Sequence, residues 1–91
     1  MKPERRVTVT VAGRRGDYHV WTLATWCYEL KEFLEEDLGV KLAVEVTEED
    51  SELPRLYIDG RLVFEGLPGE EGYLIEIIKH YVSAVREKWE V

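Results

Sequence analysis

Two kinds of hydrophobic periodicity alternate along the chain and divide it into elements. Residues 6–12, RVTVTVA, place Val7, Val9 and Val11 on one side and polar or small residues on the other. This alternation of β-branched residues predicts a strand with one buried face. Residues 40–46, VKLAVEV, repeat the pattern and predict a second strand. Between them apolar positions recur every three or four residues, which predicts an amphipathic helix.

The predicted first helix has a clear end and two alternative starts. Its apolar stripe consists of Leu23, Trp26, Cys27, Leu30, Leu34 and Leu38, with Phe33 beside it. Thr22 and Thr25 are both suitable N-cap residues, so the helix can begin at either. Gly39 can adopt the left-handed conformation that ends a helix.

The second half of the chain carries a hairpin signal followed by another helix. Arg55–Ile58 and Arg61–Glu65 are short apolar segments on either side of Asp59-Gly60. Asp-Gly favours a type I′ turn and therefore a β-hairpin. The helix is expected over Glu71–Trp89. Its predicted buried stripe is Leu74, Ile77, Ile78, Tyr81, Val82, Val85 and Trp89. The order of elements is β-α-β-β-β-α, in which the first two strands are parallel and joined by a right-handed crossover.

With this order of elements, the chain resembles the thioredoxin and glutaredoxin superfamily. The match is best over ELPRLYIDGRLVFEGLPGEEGYLIEIIKHYV, with a proline opening a strand, a tight hairpin, a glycine and a closing helix. The first strand and helix fit as well. The resemblance implies one thioredoxin-like α/β domain over residues 1–91, with a four-stranded mixed sheet in the order 2-1-3-4 and two helices on one face. It also implies that Pro54 is the superfamily's cis-proline. An alternative α+β fold pairs YHVWTLA with the first strand as a hairpin.

One departure from the superfamily concerns the sheet. Only residues 47–53 separate the second strand from Pro54, too few for the helix that normally covers the other sheet face. The predicted covered face comprises Val7, Val9, Val11, Leu42, Val44, Val46, Leu56, Ile58, Leu62 and Phe64. The uncovered face comprises Thr8, Thr10, Ala43, Tyr57 and Val63, edged by charged residues. We expect Thr8, Thr10, Tyr57 and Val63 to bind a protein partner or a second copy, to lie under residues 18–21, or to be solvated.

The other departure concerns the active site. Cys27 is the only cysteine, and Leu30 stands where the superfamily has its resolving cysteine. If the helix starts at Thr25, Cys27 takes the nucleophile position at the positive end of the helix, preceded by Trp26. If it starts at Thr22, Cys27 lies a turn further inside, on the apolar stripe, where a free cysteine is a small buried residue. The stripe favours the second alternative.

Composition and charge limit the classes of partner and the compartment that we expect. The 91 residues carry a net charge of −7 and include neither Asn nor Gln. The negative charge argues against nucleic-acid binding, and the missing amides suggest a thermophilic source. No apolar run is long enough for a membrane span, and no secretory signal follows MKPERRVTVT, so a cytoplasmic protein is expected. No metal or cofactor is predicted, because the acidic segment TEEDSEL fits no calcium loop.

Candidate site residues cluster in and after the segment GRRGD. Arg14 and Arg15 belong to a basic first stretch and are candidates for anion binding. Tyr18, His19, Trp21 and Trp26 fall where the superfamily has its active-site loop.

We therefore expect a non-catalytic thioredoxin-like domain that mediates protein interaction or dimerisation. The alternative is a single-thiol oxidoreductase, resembling monothiol glutaredoxins, that uses Cys27. A third possibility is an accessory protein that binds anions or nucleic acid through its basic end.

Overall fold

The computed structural model describes the backbone of residues 5–89 and the side chains up to residue 84. Its elements are β1 (Arg6–Gly13), α1 (Tyr18–Leu38), β2 (Lys41–Glu48), β3 (Arg55–Ile58), β4 (Arg61–Glu65) and α2 (Glu71–Trp89). The predicted order of elements is confirmed. Lys2 of the basic first stretch and the side chains of Val85 and Trp89 lie outside what is described.

The four strands form one mixed sheet in the order β2-β1-β3-β4. β1 is parallel to β2 and antiparallel to β3, and β3 forms a hairpin with β4. The turn residues Asp59 and Gly60 have φ angles of 51° and 81°, both positive as a type I′ turn requires. Asp59 also ties the turn to β1, since its Oδ1 accepts a hydrogen bond of 2.9 Å from the Thr8 amide. The predicted α/β class and strand order are correct.

Helix α1 starts a full turn before either predicted cap. Asp17 is the N-cap: its backbone is extended, and its Oδ1 accepts a hydrogen bond of 2.9 Å from the His19 amide. Thr22 and Thr25 lie inside the helix, where their hydroxyls donate to the carbonyls four residues earlier. Both predicted starts are therefore wrong, as is the alternative fold in which residues 18–24 form a strand. Asp caps more strongly than Thr, and the earlier start adds a turn from which Val20 packs into the core.

The far end of α1 and the core agree with the sequence pattern. Gly39 has a φ of 66° and its amide donates to the Glu35 carbonyl at 3.0 Å. The core lies between the sheet and the two helices, which contact each other and so share one face. Its buried side chains include Val7, Val9, Val11, Val20, Leu23, Cys27, Leu34, Leu56, Ile58, Leu74, Ile78 and Val82.

The face assignment is wrong at two positions of β4. A bulge between Leu56 and Tyr57 pairs Leu56 with Phe64 but Tyr57 with Leu62, which leaves Val63 as the additional residue. Paired residues share a face, so Leu62 lies with Tyr57 on the uncovered face. Val63 instead packs against the core. A bulge shifts the alternation by one residue, which the simple period-two pattern could not show.

The second sheet face carries no helix in the described part of the chain. Tyr57 and Arg55 meet Glu49 there: the Tyr57 hydroxyl lies 3.2 Å from both carboxylate oxygens. Arg55 Nη1 lies 2.6 Å from Glu49 Oε1. Residues 18–21 do not cover this face, because they form the first turn of α1 on the opposite side.

Pro54 is buried at the start of β3, and its carbonyl accepts a hydrogen bond of 2.7 Å from Gly66. No cis peptide bond occurs in residues 5–89, so the prediction of a cis-proline is wrong. The trans isomer is favoured by about 0.5–1 kcal/mol for bonds preceding proline. None of the described helices is both long and apolar enough to cross a membrane.

Candidate functional site

The single thiol is part of the core. Cys27 follows the N-cap of α1 by ten residues, faces the sheet and is only 2% exposed. Burial raises the pKa of Cys27 to about 12, because the apolar surroundings disfavour the thiolate. Thiol-disulfide exchange requires an accessible thiolate. The position of Cys27 therefore supports its interpretation as a buried stripe residue and argues against a catalytic role.

A groove of about 910 Å³ lies where the carboxyl ends of β1 and β2 meet the first half of α1. Gly13, the last residue of β1, makes the close approach of α1 possible. A Cβ at this position would collide with a methyl group of Val20 on the first turn of the helix. The groove is lined by residues 13–18, by Val20, Trp21, Ala24, Thr25 and Tyr28 of α1, and by Val46, Thr47 and Glu48 of β2.

An aromatic wall forms one side of this groove. Tyr18, Trp21 and Tyr28 lie on one face of α1, since their spacings of three and seven residues match whole helical turns. Trp21 is 65% exposed, and its ring centroid lies 6.4 Å from that of Tyr18. Val46 of β2, 51% exposed, forms the apolar part of the opposite side. Clustered exposed apolar side chains mark interaction sites on soluble proteins.

The other side of the groove is a sheet edge. The amide of Lys41 donates to the Arg5 carbonyl and that of Glu49 donates to the Gly13 carbonyl, each at 2.8 Å. Residues of a parallel strand alternate in direction, so the odd-numbered residues of β2 bond to β1. The backbone groups of Leu42, Val44, Val46 and Glu48 therefore point away from the sheet. Within residues 5–89, no strand pairs with this edge.

Helix α1 closes the first half of that edge with its own side chains. Glu35 Oε2 accepts a hydrogen bond of 2.8 Å from the Leu42 amide. The Tyr28 hydroxyl lies 3.4 Å from the Val44 carbonyl, a long hydrogen bond. Beyond these contacts the edge at Val46 and Glu48 lies open beside the groove.

The predicted site residues separate into two groups. Tyr18, Trp21, Arg14 and Arg15 all line the groove. Trp26 does not, because it is half-buried and packs against the core. His19 is exposed next to the groove, with its Nδ1 3.3 Å from Asp17 Oδ1.

The charges at the mouth of the groove are partly engaged. Arg14 Nε forms an ion pair of 3.0 Å with Asp50, and Arg15 is exposed. Asp17 is occupied by its role as helix cap. Among the described residues no three His, Cys, Asp or Glu side chains are close enough to hold a metal ion.

Tyr28, Val46, Glu35 and Gly13 belong to the site but were not predicted from the sequence. A signal for the aromatic wall was present, because Tyr18, Trp21, Thr25 and Tyr28 form a second helical stripe beside the buried one. The position of β2 at a sheet edge also followed from the predicted strand order. The contact between Glu35 and the β2 backbone had no signal in the sequence.

Comparison with known proteins finds no matching family model, curated protein or solved structure. The class of protein that the geometry defines is a four-stranded α/β domain with a groove at one sheet edge.

Proposed function

We propose that this chain is a small non-catalytic domain that binds another protein through the groove between α1 and β2. The observation that carries the proposal is the aromatic wall of Tyr18, Trp21 and Tyr28 beside an open strand edge. Aromatic side chains dominate binding energy at protein interfaces, and a free strand edge offers main-chain hydrogen bonds to a partner.

Burial of Cys27 supports the non-catalytic part of the proposal over a single-thiol oxidoreductase. A thiol with a pKa of about 12 is protonated at neutral pH. The strand order and the β-α-β-β-β-α succession are compatible with a minimal thioredoxin-like domain. The trans bond before Pro54 and the buried thiol depart from the redox members that this family implies.

The uncovered sheet face is the alternative binding surface. It holds Thr8, Thr10 and Tyr57, with Leu62 in the place expected for Val63. At the carboxyl end of β1 this face also carries the ion pair between Arg55 and Glu49, which a partner would have to desolvate at a cost. We favour the groove because its aromatic wall and Val46 expose apolar side chains. The net charge of −7 does not favour a nucleic-acid partner.

Differential capture tests this function. Immobilised wild-type protein, Trp21→Ala and Cys27→Ala are exposed to an extract of the source cells, with Phe33→Ala as matched control. Phe33 is an exposed aromatic residue of the same helix that does not line the groove. The proposal expects a partner that Trp21→Ala loses and that the other two variants retain. Equal capture of the partner by Trp21→Ala would overturn the proposal. So would a thiol-disulfide exchange activity of the wild-type protein that Cys27→Ala abolishes.

A further inference from the structure

We propose that the occupant of the groove is an extended segment of a partner protein, added to the sheet as a fifth strand beside Val46–Glu48. The segment carries an apolar side chain with a basic side chain next to it. This inference rests on the proposed function and specifies the ligand of the same site.

The backbone of β2 is available for strand addition only along its second half. The backbone amide and carbonyl groups of Val46 and Glu48 point away from the sheet. The Leu42 amide is bonded to Glu35, and the Val44 carbonyl is bonded to Tyr28. A strand laid against this edge can therefore exchange hydrogen bonds only along its second half. Strand addition obtains its affinity from such main-chain bonds and its specificity from alternate side chains.

The faces of β2 determine which side chains the added segment needs. A residue opposite Val46 points into the groove, where Val46 and Trp21 offer apolar contact. Its two neighbours point to the uncovered face, beside Glu45 and Thr47. Glu45 is exposed there, and opposite charges on facing strand positions attract. The neighbour that lies beside Glu45 is therefore expected to be basic.

Charge also decides between a partner protein and a second copy of this chain. Pairing two copies along the open half of β2 brings the acidic run Glu45 to Asp50 of one copy against that of the other. A register between two copies that placed Lys41 of one opposite Glu45 of the other would require pairing along the edge at Leu42 and Val44. That part of the edge is occupied by Glu35 and Tyr28. The like charges therefore disfavour self-pairing and favour a basic segment.

The probe is a short synthetic peptide, blocked at both ends, in which lysine alternates with threonine around one central leucine. Calorimetric titration should detect binding. Two matched peptides carry N-methyl groups on alternate backbone amides. In one peptide the lysine amides are methylated, and in the other the leucine and threonine amides are methylated. Only one edge of the peptide can face β2, so one methylated peptide should lose binding and the other should keep it. Equal binding by both methylated peptides would overturn strand addition.

Protein variants test the same contact from the other side. Val46→Pro removes an outward amide without breaking the ladder to β1, and should weaken binding by about tenfold. Val46→Thr keeps the amide and should bind within a factor of about three. Glu45→Lys should also weaken binding several-fold, whereas the same charge change at exposed Glu76 on α2 should not.

Three further results would contradict the inference. Tight binding by Val46→Pro would exclude the edge. A dimer that Val46→Pro dissociates would identify a second copy as the occupant. Absence of peptide binding, with Trp21-dependent capture retained, would overturn the basic segment and leave the proposed function standing.

Discussion

At the scale of single residues, the chemistry of Cys27 depends on where α1 begins. Because Asp17 caps the helix, Cys27 lies in its third turn and faces the sheet. A start at Thr25 would have placed the same thiol beside the positive end of the helix, where thiolates are stabilised. In this fold the Trp26-Cys27 pair therefore does not indicate a redox site.

The buried thiol makes the stability of the protein depend on pH in the alkaline range. Folding raises the pKa of Cys27 from 9.0 to about 12, so only the unfolded chain releases this proton between those values. Cys27 should stabilise the protein fully below pH 9 and lose that contribution as pH rises further. We expect the free energy of unfolding of wild type minus that of Cys27→Ala to fall by about 1.4 kcal/mol per pH unit above pH 9.

Chemical denaturation of the two proteins between pH 7 and pH 11 measures this difference, and tyrosine and lysine titration cancels in the comparison. The variant should be less stable by about 1 kcal/mol at pH 7, the value of one buried methylene-sized group. A pH-independent difference would mean that the thiol reaches water.

Asp17 and the two threonines provide a test of the helix start. Asp17→Ala should lower the free energy of unfolding by about 1 kcal/mol, because the His19 amide loses its acceptor. Asp17→Asn should restore most of the loss. Thr22→Ala should be neutral or slightly stabilising, since Ala has the higher helix propensity inside a helix. Urea denaturation of the variants is sufficient, and a large loss only in Thr22→Ala would support the later start.

At the scale of elements, β2 has two different edges along its length. Ala43, Glu45 and Thr47 bond to β1, while Val46 and Glu48 face outward. Amide hydrogen exchange should therefore alternate along the strand, slow at the first three residues and fast at the other two. Leu42 should be protected although it faces outward, because Glu35 accepts its proton.

Glu35→Ala is the variant for this prediction. It should make the Leu42 amide exchange faster and leave Ala43 protected, as read by exchange-resolved NMR. Glu35→Gln keeps an acceptor oxygen and should preserve most of the protection. Fast exchange at Glu45 or Thr47 in wild type would contradict the strand register.

The hairpin and α2 were predictable to the residue because their signals are local. Asp59-Gly60 determines the turn, and the apolar stripe from Leu74 defines the helix. The β4 bulge was not predictable, since it depends on how Leu62 and Val63 pack against other elements. The groove was missed for a similar reason. The groove lies between α1 and β2, and the separation of these two elements is not encoded in any local sequence pattern.

At the scale of the whole molecule, the net negative charge opposes self-association. The chain carries a net charge of −7, and the open half of β2 lies within its most acidic stretch. We expect sedimentation at moderate salt to give a monomer, even at high protein concentration. A dimer that Leu62→Asp dissociates would instead assign the interface to the uncovered sheet face.

The central claim is that the edge of β2 and the aromatic wall form one binding site. Residue-resolved NMR titration with the lysine-rich peptide tests it most directly. The account predicts shift changes at the amides of Val46 and Glu48 and at the indole of Trp21, with protection of the Val46 amide from exchange. Changes confined to Thr8, Thr10 and Tyr57 on the uncovered face would contradict it.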